Sequence, residues 1–214
     1  MVAKIFGFQK STCTARVMIS LEEVRAEYEI VPVNLATGEH KGEAHLARNP
    51  FGQIPAFEDG DVKLFESRAI SKYVLRKYKG SGPDLLHEGN LKEAAAVDLG
   101  LEIESHHYNP AISAIVGQLI FVPMSGGTPD QKIIDANVEA LGKVLDVYEH
   151  RLSEYKYIAG DFFSFADITH FPYTFYLFLT PYSSLITSRP HVKAWWEALL
   201  ARPSVAKVAA IMRG

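Results

Sequence analysis

Hydrophobic and polar positions follow two periods early in the chain and a single one later. Lys4 to Phe8 is a short apolar run that reads as a strand, and Val17, Met18, Leu21 and Val24 then trace one face of a helix. Tyr28 to Val33 reads as a second strand, followed by a weaker helical stretch near His40 to Leu46. Ala56-Phe57 and Val62 to Leu64 flank Asp59-Gly60, a pair that suits a type I′ hairpin. Ala69, Ile70, Tyr73, Val74 and Lys77 then recur at helical spacing, which starts a helix at about Ser67. The predicted order is βαβαββα.

Lys79 to Gly89 concentrates Gly, Ser and Pro between periodic segments and reads as a linker. Beyond it no segment alternates like a strand. Leu91 to about Phe121 is helical in character, with a kink expected at Pro110 because an interior proline removes a backbone hydrogen bond. Ile134, Val138, Leu141, Leu145, Tyr148 and Leu152 form one buried helical face, and Val192, Trp195, Trp196, Leu199 and Leu200 repeat the pattern in a shorter helix. The prediction is therefore an α/β domain in thioredoxin-like order with a mixed sheet over residues 1–79, a linker over 80–89, and an all-α helical bundle domain over 90–214. Internal repeats and low-complexity segments are not evident.

Composition narrows the function without naming it. A chain of 214 residues that is 48% hydrophobic buries one sizeable core or two modest ones. Its formal net charge of −3, mixed in sign and without a long basic block, argues against nucleic acid or an anionic membrane as partner. The single cysteine excludes an intrachain disulfide framework and suits a reducing compartment. The opening residues are too weakly apolar for a signal peptide, and Ile112 to Met124 is too short and too polar to span a bilayer. A cytoplasmic location is expected.

The densest functional signal is Asn49 to Ile70, NPFGQIPAFEDGDVKLFESRAI. A cis Ile54-Pro55 bond turns a loop sharply into a strand, and such a turn leaves the N–H and C=O of Ile54 free to pair with an extended peptide. Glu66-Ser67 stands where the following helix begins, so a carboxylate held there meets unpaired N–H groups and the positive end of the helix dipole. An isolated Glu-Ser pair would more simply be a helix cap. Its place after a proline turn and a hairpin favours a binding site.

Gln53-Ile54-Pro55, Glu66-Ser67-Arg68-Ala69-Ile70, and the wording HLARNP and AISKYVLRKY resemble the soluble glutathione transferases, and most closely their phi class of serine-type enzymes. The resemblance covers essentially the whole chain. It implies an enzyme that conjugates the glutathione thiolate to hydrophobic electrophilic small molecules in detoxification, with reduction of organic hydroperoxides as a second activity. Glutathione is then a co-substrate, no metal is involved, and the chain forms a homodimer.

Residue by residue, the resemblance assigns Ser11, in Ser11-Thr12-Cys13-Thr14-Ala15-Arg16-Val17, as the catalytic serine. The glutathione thiol ionises near that of free cysteine, about 8.5, and lowering it by about two units requires roughly 2.7 kcal/mol in favour of the anion. A hydroxyl donor together with a helix N-terminus is of that size. Serine is too weak a base to take the proton, so its role is donation to the thiolate. On position alone Ser11 would be a helix N-cap. The resemblance further gives Glu66 and Ser67 the γ-glutamyl end, His40 and Lys41 the glycine carboxylate, and Gln53, Ile54 and Pro55 the peptide backbone; Arg16 supports the turn or the γ-glutamyl end. The electrophile is expected between the domains against Phe8, Thr12, Leu35, Ile112, Ile115 and Phe121, with Tyr176 nearby and Gly117 widening the pocket.

Lys10 beside Ser11 departs from the usual neutral neighbour and would favour a thiolate or anionic electrophiles. Cys13 lies within the first helical turn, so a Cys13-based thiol transferase is the alternative chemistry, although its spacing points it around the helix and away from the cleft. A non-catalytic carrier of hydrophobic ligands is the alternative of another class. Glu102, His106 and His107 could form one face of a metal site, but no further ligands recur at suitable spacing. Ser164 to Asp167, with Phe163 and Ile168 as a hydrophobic staple, is read as a capping box that serves folding.

Overall fold

β1 (Ala3–Gly7) is the strand on which the first unit is organised. It runs parallel to β2 (Tyr28–Pro32) and antiparallel to β3 (Ala56–Asp59), which pairs antiparallel with β4 (Val62–Phe65). The order β2-β1-β3-β4 makes a mixed sheet, with Ala3, Ile5 and Phe6 of β1 buried. A parallel pair requires a crossover, which α1 (Thr12–Glu23) supplies. A 3₁₀ turn (Glu39–Lys41), the short α2 (Glu43–Leu46) and α3 (Ser67–Lys77) complete the order predicted from the sequence. α1 and α3 lie against each other and bury Val17, Met18, Leu21, Ile70 and Val74, each contributing roughly 1.5–3 kcal/mol relative to exposure. The structural model is computed and describes residues 2–214.

The hairpin turn differs by one residue from the sequence expectation. Asp59 pairs with Val62, so the two-residue loop is Gly60-Asp61 rather than Asp59-Gly60. Gly60 has φ of 68° while Asp61 is not left-handed. Glycine at the first central position with positive φ there alone is the type II′ pattern, not I′.

The second unit, Leu85–Arg202, is helical throughout its regular structure. It contains α4 (Leu91–Ile103), α5 (Asn109–Val116), α6 (Val122–Met124), α7 (Gln131–Glu154), α8 (Phe165–Leu177), α9 (Ser184–Thr187) and α10 (Pro190–Leu200). The kink expected at Pro110 takes the form of a π turn. Glu104–Tyr108 and Gly117–Phe121 are both π-helical, and each closes with an i→i−5 bond, Asn109 N–H to Glu104 O and Val122 N–H to Gly117 O. The next residue is a proline in both cases, Pro110 and Pro123. A proline there has no N–H to continue the α ladder and its ring crowds the carbonyl four residues back, which widening the preceding turn relieves.

The unit's core gathers Tyr108, Tyr148, His170 and Trp195 in edge and stacked ring contacts, with Tyr148 Oη 2.8 Å from His170 Nε2 and Tyr108 Oη 2.6 Å from Thr174 Oγ1. The Ser164–Asp167 capping box is present at the start of α8. Asp167 also accepts from Ile158 N–H and Trp195 Nε1–H, so it joins three segments rather than one helix end.

Two expected boundaries are corrected. The chain's last helix, α11 (Pro203–Arg213), belongs with the first unit, not with the helical domain. It packs on α1, where Ser204 Oγ donates to Glu23 and Lys207 meets Glu22 at 2.7 Å, and it buries Val205, Val208 and Met212. The 80–89 stretch is also not a free linker. A Cβ at Gly82 would collide with the Glu23 carbonyl, and Leu85 and Leu86 are buried, with Leu85 O accepting from Phe165 N–H.

Candidate active site

β1, the first turn of α1 and the loop before β3 converge at Gly7. A Cβ there would fall 2.7 Å from Thr14 Oγ1, too close for a side chain without a shift, and 3.5 Å from Pro55 Cβ, in ordinary contact, so glycine accommodates the first turn of α1 with the proline loop alongside. Ser11 follows, with its N–H bonded to Phe8 O and extended φ and ψ of −69° and 135°, as the N-cap of α1. Its Oγ accepts from Thr14 N–H at a long 3.4 Å. Cap and donor roles are compatible, because a hydroxyl accepts through its lone pairs while its hydrogen remains to be given. No acidic side chain occupies the first turn of α1 to offset the helix dipole.

The Ile54-Pro55 bond is cis. Gln53 is exposed, but its carbonyl turns inward and accepts from His45 Nε2 and Asn49 Nδ2, each at 2.8 Å. Asn49 Oδ1 in turn accepts from Phe51 N–H at 3.0 Å. Buried His45 and Asn49 thus clamp the loop from behind, and no partner is present among the described residues for the Ile54 backbone groups. Sequence reasoning missed this clamp. The signal was there in His45 and Asn49, four apart and just ahead of Pro50.

Glu66 precedes α3 with φ of 69° and ψ of 104°, a left-handed backbone that a non-glycine residue holds at a cost of about 1–3 kcal/mol. No side chain caps α3, so Glu66-Ser67 is not the simple cap that its sequence would suggest. Ser67 is 5% exposed, and its Oγ accepts from Arg16 Nη1 at 2.7 Å. Arg16 Nη1 also lies 3.8 Å from Cys13 Sγ. Cys13 thus sits beside the nitrogen that holds Ser67.

His40 and Lys41 stand on the 3₁₀ turn, brought against the proline loop at Gly52. Gly52 has φ of 57°, and a Cβ on it would fall 2.8 Å from Lys41 Cδ and 2.9 Å from His40 O. Lys41 Nζ donates to Phe51 O at 3.0 Å, whereas His40 Nδ1 is buried without a hydrogen-bond partner.

The expected apolar wall divides. Phe8 and Leu35 of the first unit are 43% and 42% exposed, while Thr12 is buried. Ile112 and Ile115 are fully buried residues of α5 in the second unit, so neither presents surface to a ligand here. Phe121 is half-buried and edge-on to Tyr176, whose phenol is pushed up in pKa by burial and remains protonated at neutral pH. Phe121 and Gly117 line an open cavity of about 460 Å³ with Ala114, Val122 and Ile133. A Cβ at Gly117 would meet nothing within 4 Å. Glu102 and His106 form an exposed pair at 2.9 Å, and among the described residues no three His, Cys, Asp or Glu side chains gather as a metal site.

Residues 1–76 match the family described as glutathione S-transferase, N-terminal domain, and residues 112–203 the corresponding C-terminal domain. The chain is 62% identical to the probable glutathione S-transferase GSTF1 of Oryza sativa subsp. japonica, over 98% of this chain and 96% of that one. It is 55% identical to glutathione S-transferase 1 of Zea mays, over 98% and 97%. Among solved structures, glutathione transferase F7 from Populus trichocarpa superposes with a TM-score of 0.96 at 56% identity, covering 99% of each chain. The maize glutathione S-transferase I in complex with an atrazine glutathione conjugate gives 0.94 at 54% identity, covering 100% of this chain and 99% of that one. The chain belongs to the glutathione S-transferase family, in its phi class.

Proposed function

We propose that Ser11 is the group through which this glutathione transferase activates its co-substrate, donating its hydroxyl hydrogen to the glutathione sulfur at the head of α1. The observation that carries this reading is the meeting at Gly7 of the Ser11 turn, the first turn of α1 and the cis-Pro55 loop. The tripeptide backbone lies along Ile54, held by the clamped Gln53 loop, with its γ-glutamyl end at Glu66 and Ser67 and its glycine carboxylate at His40 and Lys41. The anion attacks an electrophilic carbon, forming the C–S bond as the leaving group departs or the double bond takes up the electron pair. With a hydroperoxide the same sulfur takes the terminal oxygen. The alcohol is released, and a second glutathione converts the sulfenic acid to disulfide and water.

Phe8 and Leu35 offer apolar surface for the electrophile in the first unit, as does the Phe121 cavity in the second. A glutathione S-transferase I structure bound to lactoylglutathione and the maize structure in complex with an atrazine glutathione conjugate support glutathione adducts as the ligand class. A Cys13 thiol transferase fits less well, because Cys13 shares Arg16 with Ser67, the γ-glutamyl end, rather than lying where the glutathione sulfur would be. A homodimer is the expected assembly, with exposed Phe51 and Leu91 as available apolar contacts. The lone cysteine suits a reducing cytosol, and among the described residues no helix is long and apolar enough to cross a membrane.

The test is a panel of aryl halides, unsaturated carbonyls and hydroperoxides assayed with glutathione, on the native chain and on Ser11→Ala. An enzyme acting through Ser11 loses about tenfold or more in rate at pH 7 with glutathione affinity kept. Equal rates in the two proteins would remove Ser11 from the chemistry, and ligand binding without turnover in both would make the chain a carrier.

A further inference from the structure

Arg16 is 1% exposed, in the second turn of α1, and it reaches α3 twice. Its Nη1 donates to Ser67 Oγ at 2.7 Å, and its carbonyl lies 3.5 Å from Ser71 Oγ, one turn further along α3. A guanidinium has donors only, so at this distance Ser67 Oγ must be the acceptor. The hydrogen of Ser67 is then left to give, and among the described residues nothing accepts it. The adjacent backbone N–H groups at the start of α3 have no side-chain cap.

We propose that Arg16 is a positioning residue for glutathione binding, which fixes the sense of the Ser67 hydroxyl so that it can only donate toward an incoming carboxylate. This rests on the reading of Ser67 as the contact of the γ-glutamyl carboxylate. Without Arg16 the hydroxyl is free to rotate and spend its hydrogen elsewhere. With it, the hydroxyl is polarised by a buried cation and presented in one orientation, alongside the N–H groups of the helix start. Arg16 touches neither the sulfur nor the electrophile in this arrangement, so it acts on ligand affinity and not on the chemical step. The arrangement predicts selectivity for ligands that carry the γ-glutamyl α-carboxylate over those that lack it.

The test is a cycle read by calorimetry with two probes, S-methylglutathione and the same peptide with its γ-glutamyl residue replaced by 4-aminobutyrate, which deletes only the carboxylate. Arg16→Met and Ser67→Ala should each weaken S-methylglutathione by about tenfold and leave the truncated probe unaffected. Arg16→Met added to Ser67→Ala should cost nothing more. Arg16→Lys should recover part of the loss, and Ser71→Ala, which removes only a tie between helices, should bind like the native protein. KM for glutathione should rise with kcat and its pH profile unchanged. Full additivity of the two substitutions, or a fall in kcat with KM unchanged, would overturn the role of Arg16 while leaving Ser67 in place. If Ser67→Ala instead binds both probes like the native chain, the assignment of Ser67 fails and the inference with it. If the Arg16 variants do not fold, neutron diffraction of the native protein with S-methylglutathione decides. A Ser67 deuteron pointing at the carboxylate supports the proposal, and one given to a protein acceptor refutes it.

Discussion

Replacing Asp167 by alanine should destabilise the helical unit far more than loss of a helix cap does. Asp167 is fully buried, and its two oxygens divide the work. Oδ2 accepts from Ser164 N–H at 2.9 Å and Ser164 Oγ at 3.2 Å, while Oδ1 accepts from Ile158 N–H at 3.0 Å and Trp195 Nε1–H at 2.9 Å. Burial pushes its pKa up, and the four donors oppose that rise. Alanine would leave three buried N–H groups without acceptors, at about 1–3 kcal/mol each, against which relief from burying a carboxylate is set. A net loss of about 3–6 kcal/mol follows.

Asparagine separates the two halves of this interaction. Its oxygen can serve Ile158 and Trp195, but its amide presents hydrogens to the Ser164 N–H, so Asp167→Asn should lose about half as much. Ser164→Ala removes one hydroxyl and should cost about 1 kcal/mol. Urea unfolding followed by far-ultraviolet circular dichroism measures the series, and glutathione affinity of the folded protein should not change. An Asp167→Ala loss no larger than that of Ser164→Ala, or an Asp167→Asn protein as stable as the native one, would refute this account.

Two helical glycines should respond to alanine with opposite signs. At Gly117 a Cβ meets nothing, so Gly117→Ala should raise stability by about 0.5–1 kcal/mol. At Gly100 it would lie 2.8 Å from Ala166 Cβ and 3.0 Å from Ile158 Cγ2, so overpacking of about 1–3 kcal/mol outweighs a propensity gain of about 1 kcal/mol. Thermal unfolding of both variants checks the signs. For Glu149, burial works to raise the pKa, but bonds from Val192 and His191 N–H and from the His191 ring overcome it and hold the carboxylate below its ordinary range. The unfolded chain therefore binds this proton more readily, so the group's contribution is present above the ordinary glutamate pKa and is lost as pH falls through the depressed folded value. Glu149→Gln should flatten the acid limb of Tm against pH, and an unchanged limb would contradict the assignment.

Local pattern was enough for the parts of this fold that local pattern controls. The βαβαββα order, the start of α3 at Ser67 and the long buried face of α7 follow from periods of two and 3.6 and from turn residues within a few positions. The hairpin was misplaced by one residue because register is set by the pairing of Asp59 with Val62, which the Asp-Gly pair alone does not determine. α11 was assigned to the wrong unit because periodicity shows which face is apolar but not what covers it; Ser204 and Lys207 meet Glu23 and Glu22, some 180 positions earlier. Ile112 and Ile115 were taken for pocket residues for the same reason, since apolar side chains line cores and clefts alike. The link from Arg16 to Ser67 spans 51 positions and leaves no local trace.

The claim on which the rest depends is that Ser11 stabilises the sulfur anion of bound glutathione. Ultraviolet titration of the thiolate in the glutathione complex of the native chain and of Ser11→Ala measures it directly. The native complex should ionise about two units below the free thiol's value near 8.5, and Ser11→Ala should return most of that shift while still binding glutathione. The same depressed ionisation in both proteins would contradict the account.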